Sequence, residues 1–117
     1  TKILFDTVVW NLNNNFSSSR FTPTVAGYYQ INCCATLSDA ASNTTSFLLL
    51  LYKNGSSYGY VRAIGPSGNY TCGTLSYVVS MNGTTDYLEV YAEAVSNNGV
   101  IFGTGLSIFS AALVRAA

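Results

Sequence analysis

The run Gly27-Tyr28-Tyr29-Gln30-Ile31-Asn32-Cys33-Cys34-Ala35-Thr36-Leu37 decides the fold class. Read with a period of two, it sorts into two faces. Tyr29, Ile31, Cys33, Ala35 and Leu37 fall on one, and Tyr28, Gln30, Asn32, Cys34 and Thr36 on the other. Successive side chains of a strand point to opposite sides, so this alternation, launched from a glycine, predicts a long strand with one side in a core. The second face is polar yet uncharged, whereas a strand face washed by bulk water more often holds Lys or Glu. Two readings stay open for it: a surface that meets another protein, or an ordinary solvent face rich in Ser, Thr and Asn.

Outward from that strand the chain reads as strands and turns. Ile3 to Trp10 is a candidate first strand, and the Asn/Ser-rich run from Asn11 to Ser19 is a polar loop. Arg20 to Val25 is a short extended piece interrupted by Pro23, hence an edge or a strand start. Ser38 to Thr45 reads as a loop of small polar residues, and Phe47 to Lys53 as a buried strand. Asn54-Gly55 is the strongest hairpin signal in the chain, with Tyr58 to Ile64 pairing back. After the Gly65-Pro66-Ser67-Gly68-Asn69 turn, Tyr70 to Met81 alternates with Leu75, Tyr77, Val79 and Met81 on one face. Asn82-Gly83-Thr84-Thr85 turns into Asp86 to Val95, whose inward set is Leu88, Val90, Ala92 and Ala94. Ser96-Asn97-Asn98-Gly99 turns again before Val100 to Phe102, and Ser107 to Val114 closes the domain. Many short strands separated by turn chemistry mean a β-sandwich or barrel.

The last strand leaves almost no polar face: Leu106, Ile108, Phe109, Ala111, Ala112, Leu113 and Val114 are all apolar. A strand apolar on both sides must be covered on both sides, and a second copy of the chain is the simplest cover for the side away from the core.

At 117 residues the chain is expected to form one domain. It is 49% hydrophobic and only 9% charged, against about 25% in ordinary soluble domains. Asn, Ser, Thr and Gly supply the missing polarity. No apolar run approaches the roughly 20 residues of a membrane-spanning helix, so membrane insertion is not expected. Asp6 directly after Thr1–Phe5 argues against a signal peptide, and the chain reads as a domain cut from something longer. Net charge is zero, with Lys2, Arg20, Lys53, Arg62 and Arg115 scattered along the sequence. Nucleic acid and anionic membrane surfaces need clustered cations, and both are disfavoured.

The three cysteines cannot all pair within one chain. Cys33 and Cys34 point to opposite faces of one strand, and Cys72 could bridge to one of them only if the strands lie adjacent. The default reading is three thiols made in a reducing cytoplasm, with Cys33 buried as a small hydrophobe. With no histidine and no Cys-x-x-Cys, a zinc-type metal site is not expected. The missing histidine also removes the usual base for a serine or cysteine nucleophile. Glu89 and Glu93 would share a strand face about 13 Å apart by strand rise. That is more than the roughly 5–9.5 Å of glycosidase carboxylate pairs. Asp6, Asp39 and Asp86 read as turn or strand-end residues rather than calcium ligands. Tyr28, Tyr52, Tyr58, Tyr60, Tyr70, Tyr87 and Tyr91 are either sugar-stacking platforms or cross-strand and interface packing.

Several stretches together resemble the globular head domain of complement C1q and its relatives. They are Leu4-Phe5-Asp6 with Val8-Val9, Asn15-Phe16, Arg20-Phe21-Thr22 and Val25-Ala26-Gly27-Tyr28-Tyr29. Leu51-Tyr52-Lys53-Asn54-Gly55, Asp86-Tyr87-Leu88-Glu89-Val90 and Ser107-Ile108-Phe109-Ser110-Ala111 follow in the same order. Two departures stand out. Ala111-Ala112 occupies the place of a glycine and an aromatic, and Asn82-Gly83-Thr84-Thr85-Asp86 lengthens a Gly-Asp turn. The resemblance is strongest to C1q-type domains at bacteriophage fibre tips and on microbial surface proteins. It implies an all-β, two-sheet antiparallel jelly-roll sandwich that assembles as a compact homotrimer. Tyr28, Gln30, Asn32, Phe109, Ala111 and Leu113 would then line the trimer interface, so a charge at Phe109 should disturb assembly more than a change at Asp39. Sequons begin at Asn15, Asn43, Asn54, Asn69 and Asn82. Several fall where the fold should be tight, which favours a maker without N-glycosylation.

The implied function is non-enzymatic and needs no cofactor: a viral surface domain binding host-cell glycan or protein at the virion surface, or otherwise in an extracellular setting. Asn43, Tyr58, Tyr60, Tyr70, Asn97 and Asn98 are the candidate recognition residues. The alternative is a purely structural cap that trimerises and holds a fibre or capsid attachment together.

Overall fold

Gly27–Asp39 is a strand, and along 27–35 its side chains alternate in and out, burying Ile31 and Ala35 completely while Asn32 stays exposed. In the computed structural model, which describes residues 2–5, 7, 11–39, 46–64, 70–94, 99–102 and 107–117, this strand is β3. Before it come β1 (Phe16–Ser17) and β2 (Arg20–Phe21). After it come β4 (Ser46–Lys53), β5 (Ser56–Ile64), β6 (Tyr70–Met81), β7 (Leu88–Ala94), β8 (Gly99–Phe102) and β9 (Ile108–Ala116).

The strands form two antiparallel sheets. One runs β1-β2-β7-β4-β5. In the other, β3 is flanked by β6 on one edge and by β8 and β9 in succession on the other. The sheets face each other across Ile31, Cys33, Ala35, Leu75 and Val79 from one side and Phe47, Leu49, Leu51, Leu88 and Val90 from the other. Phe47, Leu49, Leu51, Ile31 and Leu75 are wholly excluded from water, each worth about 1.5–3 kcal/mol of transfer free energy. Tyr29 is the polar intruder in this layer, and its hydroxyl donates to the Val25 carbonyl at 2.7 Å.

The expected β4–β5 hairpin is present. Asn54 (φ 53°) and Gly55 (φ 81°) both take the left-handed conformation of a type I′ turn. That turn is tied to the β6–β7 connection. Asn54 Nδ2 donates to Asp86 Oδ1 (2.8 Å), Asn54 Oδ1 accepts from the Tyr87 amide (2.9 Å), and Lys53 Nζ donates to the Ser80 carbonyl (2.6 Å). Asn82 Oδ1 in turn accepts the amides of Thr84, Thr85 and Asp86, each at 2.9 Å, which closes the lengthened turn.

Four expectations change. The run from Asn11 to Ser19 is not all loop, because Phe16–Ser17 pairs with Arg20–Phe21 across the tight turn at Ser18 and Ser19. The first residues form no strand of their own over their described part: Lys2 bridges Tyr91 and the Ile3 amide donates to the Val90 carbonyl, holding this piece to β7. Phe5 then departs toward Ser19, whose Oγ accepts its amide. Asp39 is not a loop residue, because β3 and β8 pair through it with Gly99. Phe47 to Lys53 is buried on one side only, since Leu48 and Leu50 are half-buried on the outer face.

Candidate assembly face

Sheet register assigns the faces of β9. It pairs Tyr29 with Leu113, Ile31 with Ala111 and Cys33 with Phe109. Residues opposite each other in an antiparallel pair point the same way, so Phe109, Ala111 and Leu113 lie on the core side. Phe109 there packs among Phe5, Phe16 and Phe21 with ring centroids 6.0, 5.3 and 6.1 Å away. These rings line a cleft of about 440 Å³ between the end of β9 and the short strands β1 and β2. The six expected interface residues therefore divide between two faces, with Tyr28, Gln30 and Asn32 on the outer side and Phe109, Ala111 and Leu113 on the core-facing side, where Phe109 and Ala111 are half-buried and Leu113 is still exposed. The reason is parity: β9 is apolar at nearly every position, and only its register with β3 says which set faces in.

The outer face is built from Tyr28, Gln30, Asn32 and Cys34 of β3. Beside them stand Cys72, Thr74, Ser76, Val78 and Ser80 of β6 and Ile108, Ser110 and Ala112 of β9. Its centre is a polar cluster. Gln30 Nε2 donates to Ser76 Oγ (2.9 Å) and to Asn32 Oδ1 (3.3 Å), and Ser76 Oγ donates to Asn32 Oδ1 (2.9 Å). Apolar groups surround it, with Tyr28 47%, Val78 52% and Ile108 60% exposed. Val114, the extra residue of a β-bulge opposite Tyr28 and Tyr29, is 62% exposed. Arg115, opposite Tyr28, is the one charge among these positions. Drying such a face takes no carboxylate or ammonium at its centre out of water, and Asn32 Oδ1 and Gln30 Nε2 already have partners within it.

The outer face of the other sheet is different. Leu48 and Leu50 are paired with Glu93 and Tyr91, Leu48 also faces Arg62, and Tyr52 pairs with Glu89. Tyr52 and Tyr91 stack at 4.2 Å, and the Arg20 guanidinium sits 4.0 Å from the centre of the Tyr87 ring. Glu89, buried, receives Lys2 Nζ at 2.6 Å and Arg20 Nε at 3.2 Å. Burial pushes its carboxyl up, but the hydrogen bonds and charges of Lys2 and Arg20 outweigh that and hold it below the usual carboxylate range. Glu89 is thus engaged in an ion triad, while Glu93 is exposed.

The expected recognition residues fare unevenly. Tyr58 and Tyr60 are exposed but lie on edge strand β5 rather than in a loop, and the Tyr58 ring meets Tyr77 edge-on at 5.9 Å. Tyr70 is the first residue of β6. Asn43, Asn97 and Asn98 lie outside the described residues. Ser76, Val78 and Ile108 were missed as members of the outer face. The signal for the first two was the off-phase set of the Tyr70–Met81 alternation, which sequence reasoning used only for its core half. Compared by sequence, the chain matches no protein-family model and none of the curated proteins.

Proposed function

We propose that this chain is a non-enzymatic, C1q-like jelly-roll domain of a viral fibre or virion surface protein. In this reading it forms a homotrimer through the outer face of the β6-β3-β9 sheet and presents its remaining surface to host-cell glycan or protein. The observation that carries this reading is the asymmetry of the two outer faces. Lys2, Arg20, Arg62, Glu89 and Glu93 gather on the five-stranded sheet, while the β6-β3-β9 face bears Arg115 alone and exposes Tyr28, Val78 and Ile108 around an uncharged centre of Gln30, Asn32 and Ser76. Depletion of charge with retention of aromatic and aliphatic groups is the compositional mark of an interface core. Three weak sites on one particle would then reinforce one another by avidity.

Light scattering at micromolar concentration tests the assembly, with a particle of three chains expected and a clean monomer overturning it. Labelled protein applied to candidate host cells and to a glycan array tests the binding role. A structural cap is the second reading, favoured by the engagement of Tyr58 with Tyr77, which uses that ring as packing. A trimer that binds no host surface selects it.

A further inference from the structure

Cys34 and Cys72 are far apart in the chain and meet on the outer face. The β3–β6 register sets Cys34 opposite Thr74 and Cys72 opposite Thr36, which makes the two thiols diagonal neighbours on adjacent strands. Diagonal neighbours on one face of an antiparallel pair usually stand about 7–8 Å apart, wider than a disulfide spans, so the contact between these two thiols is a property of this sheet and not of diagonal placement in general. Here the two Sγ atoms are 2.8 Å apart, each the other's hydrogen-bond partner. The adjacency on which a Cys72 bridge depends is therefore present.

The third cysteine does not compete. Cys33 points into the core, where burial, then the neighbouring Cys34 and Cys72, push its thiol up to about 12. Cys34 is half-buried, and its thiol is also raised, first by burial and then by the hydrogen bond with Cys72. Cys72 is exposed in the single chain, so a soluble reagent reaches it before the proposed trimer covers this face.

We propose that Cys34 and Cys72 form an intrachain disulfide, made by exchange with a small soluble disulfide such as oxidised glutathione, and that it staples β3 to β6. Cys72 loses its proton to solvent, and its thiolate attacks one glutathione sulfur, expelling the other glutathione as thiolate. Cys34, deprotonated in turn, attacks the Cys72 sulfur of the mixed disulfide and expels the second glutathione. Two protein thiols are oxidised, one glutathione disulfide is reduced to two thiols, and the balance closes. The bond would hold two strands whose direct chain connection runs through β4 and β5, a long loop whose closure restricts the unfolded chain.

The test refolds the reduced protein from denaturant in oxidised glutathione at pH 8, so that the reagent meets both thiols before chains assemble, then quenches with acid and counts thiols in denaturant. The wild type should fall from three titratable thiols to one, as an uncrosslinked chain with no retained glutathione. Cys33→Ala should lose both of its thiols, and Cys34→Ser should lose neither to a bridge. The oxidised wild type should melt about 5 °C or more above its reduced form. Three free thiols in the wild type, a bridge in Cys34→Ser, or disulfides between chains would each overturn the pairing. A mapped bond with no rise in Tm would overturn the staple.

Discussion

At the scale of single residues, two positions show how side-chain chemistry sets the turns. Gly83 sits at φ 74° with the backbone of Val25 and Ala26 directly beside it, so a Cβ there would meet the Ala26 nitrogen. Gly83→Ala combines a left-handed backbone with a main-chain clash, and it is predicted to lower stability by about 1–3 kcal/mol in urea unfolding. An unchanged midpoint would mean the turn has another arrangement. Asp86 is the second position. Its carboxyl is held below the usual range, first by the Asn54 amide, against an opposing push from burial, and further by the Asn82 amide and Lys53. Glu89 is depressed as well. A carboxylate whose folded pKa is below its unfolded one contributes stability above the unfolded value, and that contribution is lost as pH falls through the folded value. Acidification below about pH 4 should therefore weaken the fold. Asp86→Asn should show a smaller fall between pH 6 and pH 3 than the wild type, read from denaturant midpoints, and an equal fall would remove Asp86 from the account.

At the scale of elements, β9 is the instructive case. Phe109→Ala should cost about 2–3 kcal/mol, the lower end for a large aromatic because the ring is only half-buried. Chemical denaturation at fixed protein concentration measures it, and a loss near zero would mean the aromatic cluster is not packed. Phe109→Asp consequently probes the core and not the outer face. β3, β6 and the β4–β5 hairpin were legible because polar and apolar residues alternate cleanly there and Asn54-Gly55 names its own turn. β9 was legible as a strand but not in orientation, since period-two reading carries no information when Ile108, Phe109, Ala111, Ala112 and Leu113 are all apolar. The attachment of Lys2 and Ile3 to β7 had no local signal, because one bridge and one hydrogen bond to a distant strand leave no periodicity. The strand carrying Tyr58 and Tyr60 was legible too, since Tyr58 to Ile64 reads as the segment pairing back from Asn54-Gly55, and β5 begins only two residues earlier, at Ser56. The Cys34–Cys72 meeting was invisible, being set by a register that depends on everything between the two strands.

At the scale of the whole molecule, the proposed assembly makes two demands. Val78→Arg places a charge on the outer face and should weaken association at least about tenfold. Far-UV circular dichroism should be unchanged, and sedimentation at several concentrations would read the loss; an undiminished trimer would move the interface elsewhere. Because the face holds so little charge, raising salt from about 0.1 to 1 M should leave the trimer intact, and dissociation by salt would point to the charged face of the other sheet. The pairing of β3 with β9 also bears on synthesis. On the edge away from β6, Gly27 finds its partner at Ala116, and Tyr28 at Arg115. A ribosome adding about 5–20 residues per second leaves that edge of the strand waiting on the order of ten seconds for its neighbour. During that interval a long strand with an apolar side lies open beside identical chains emerging from the same message. Slower translation of the final third should then raise the yield of aggregates, and anything that shields nascent β3, such as a chaperone bound at the ribosome exit, should raise the yield of folded protein.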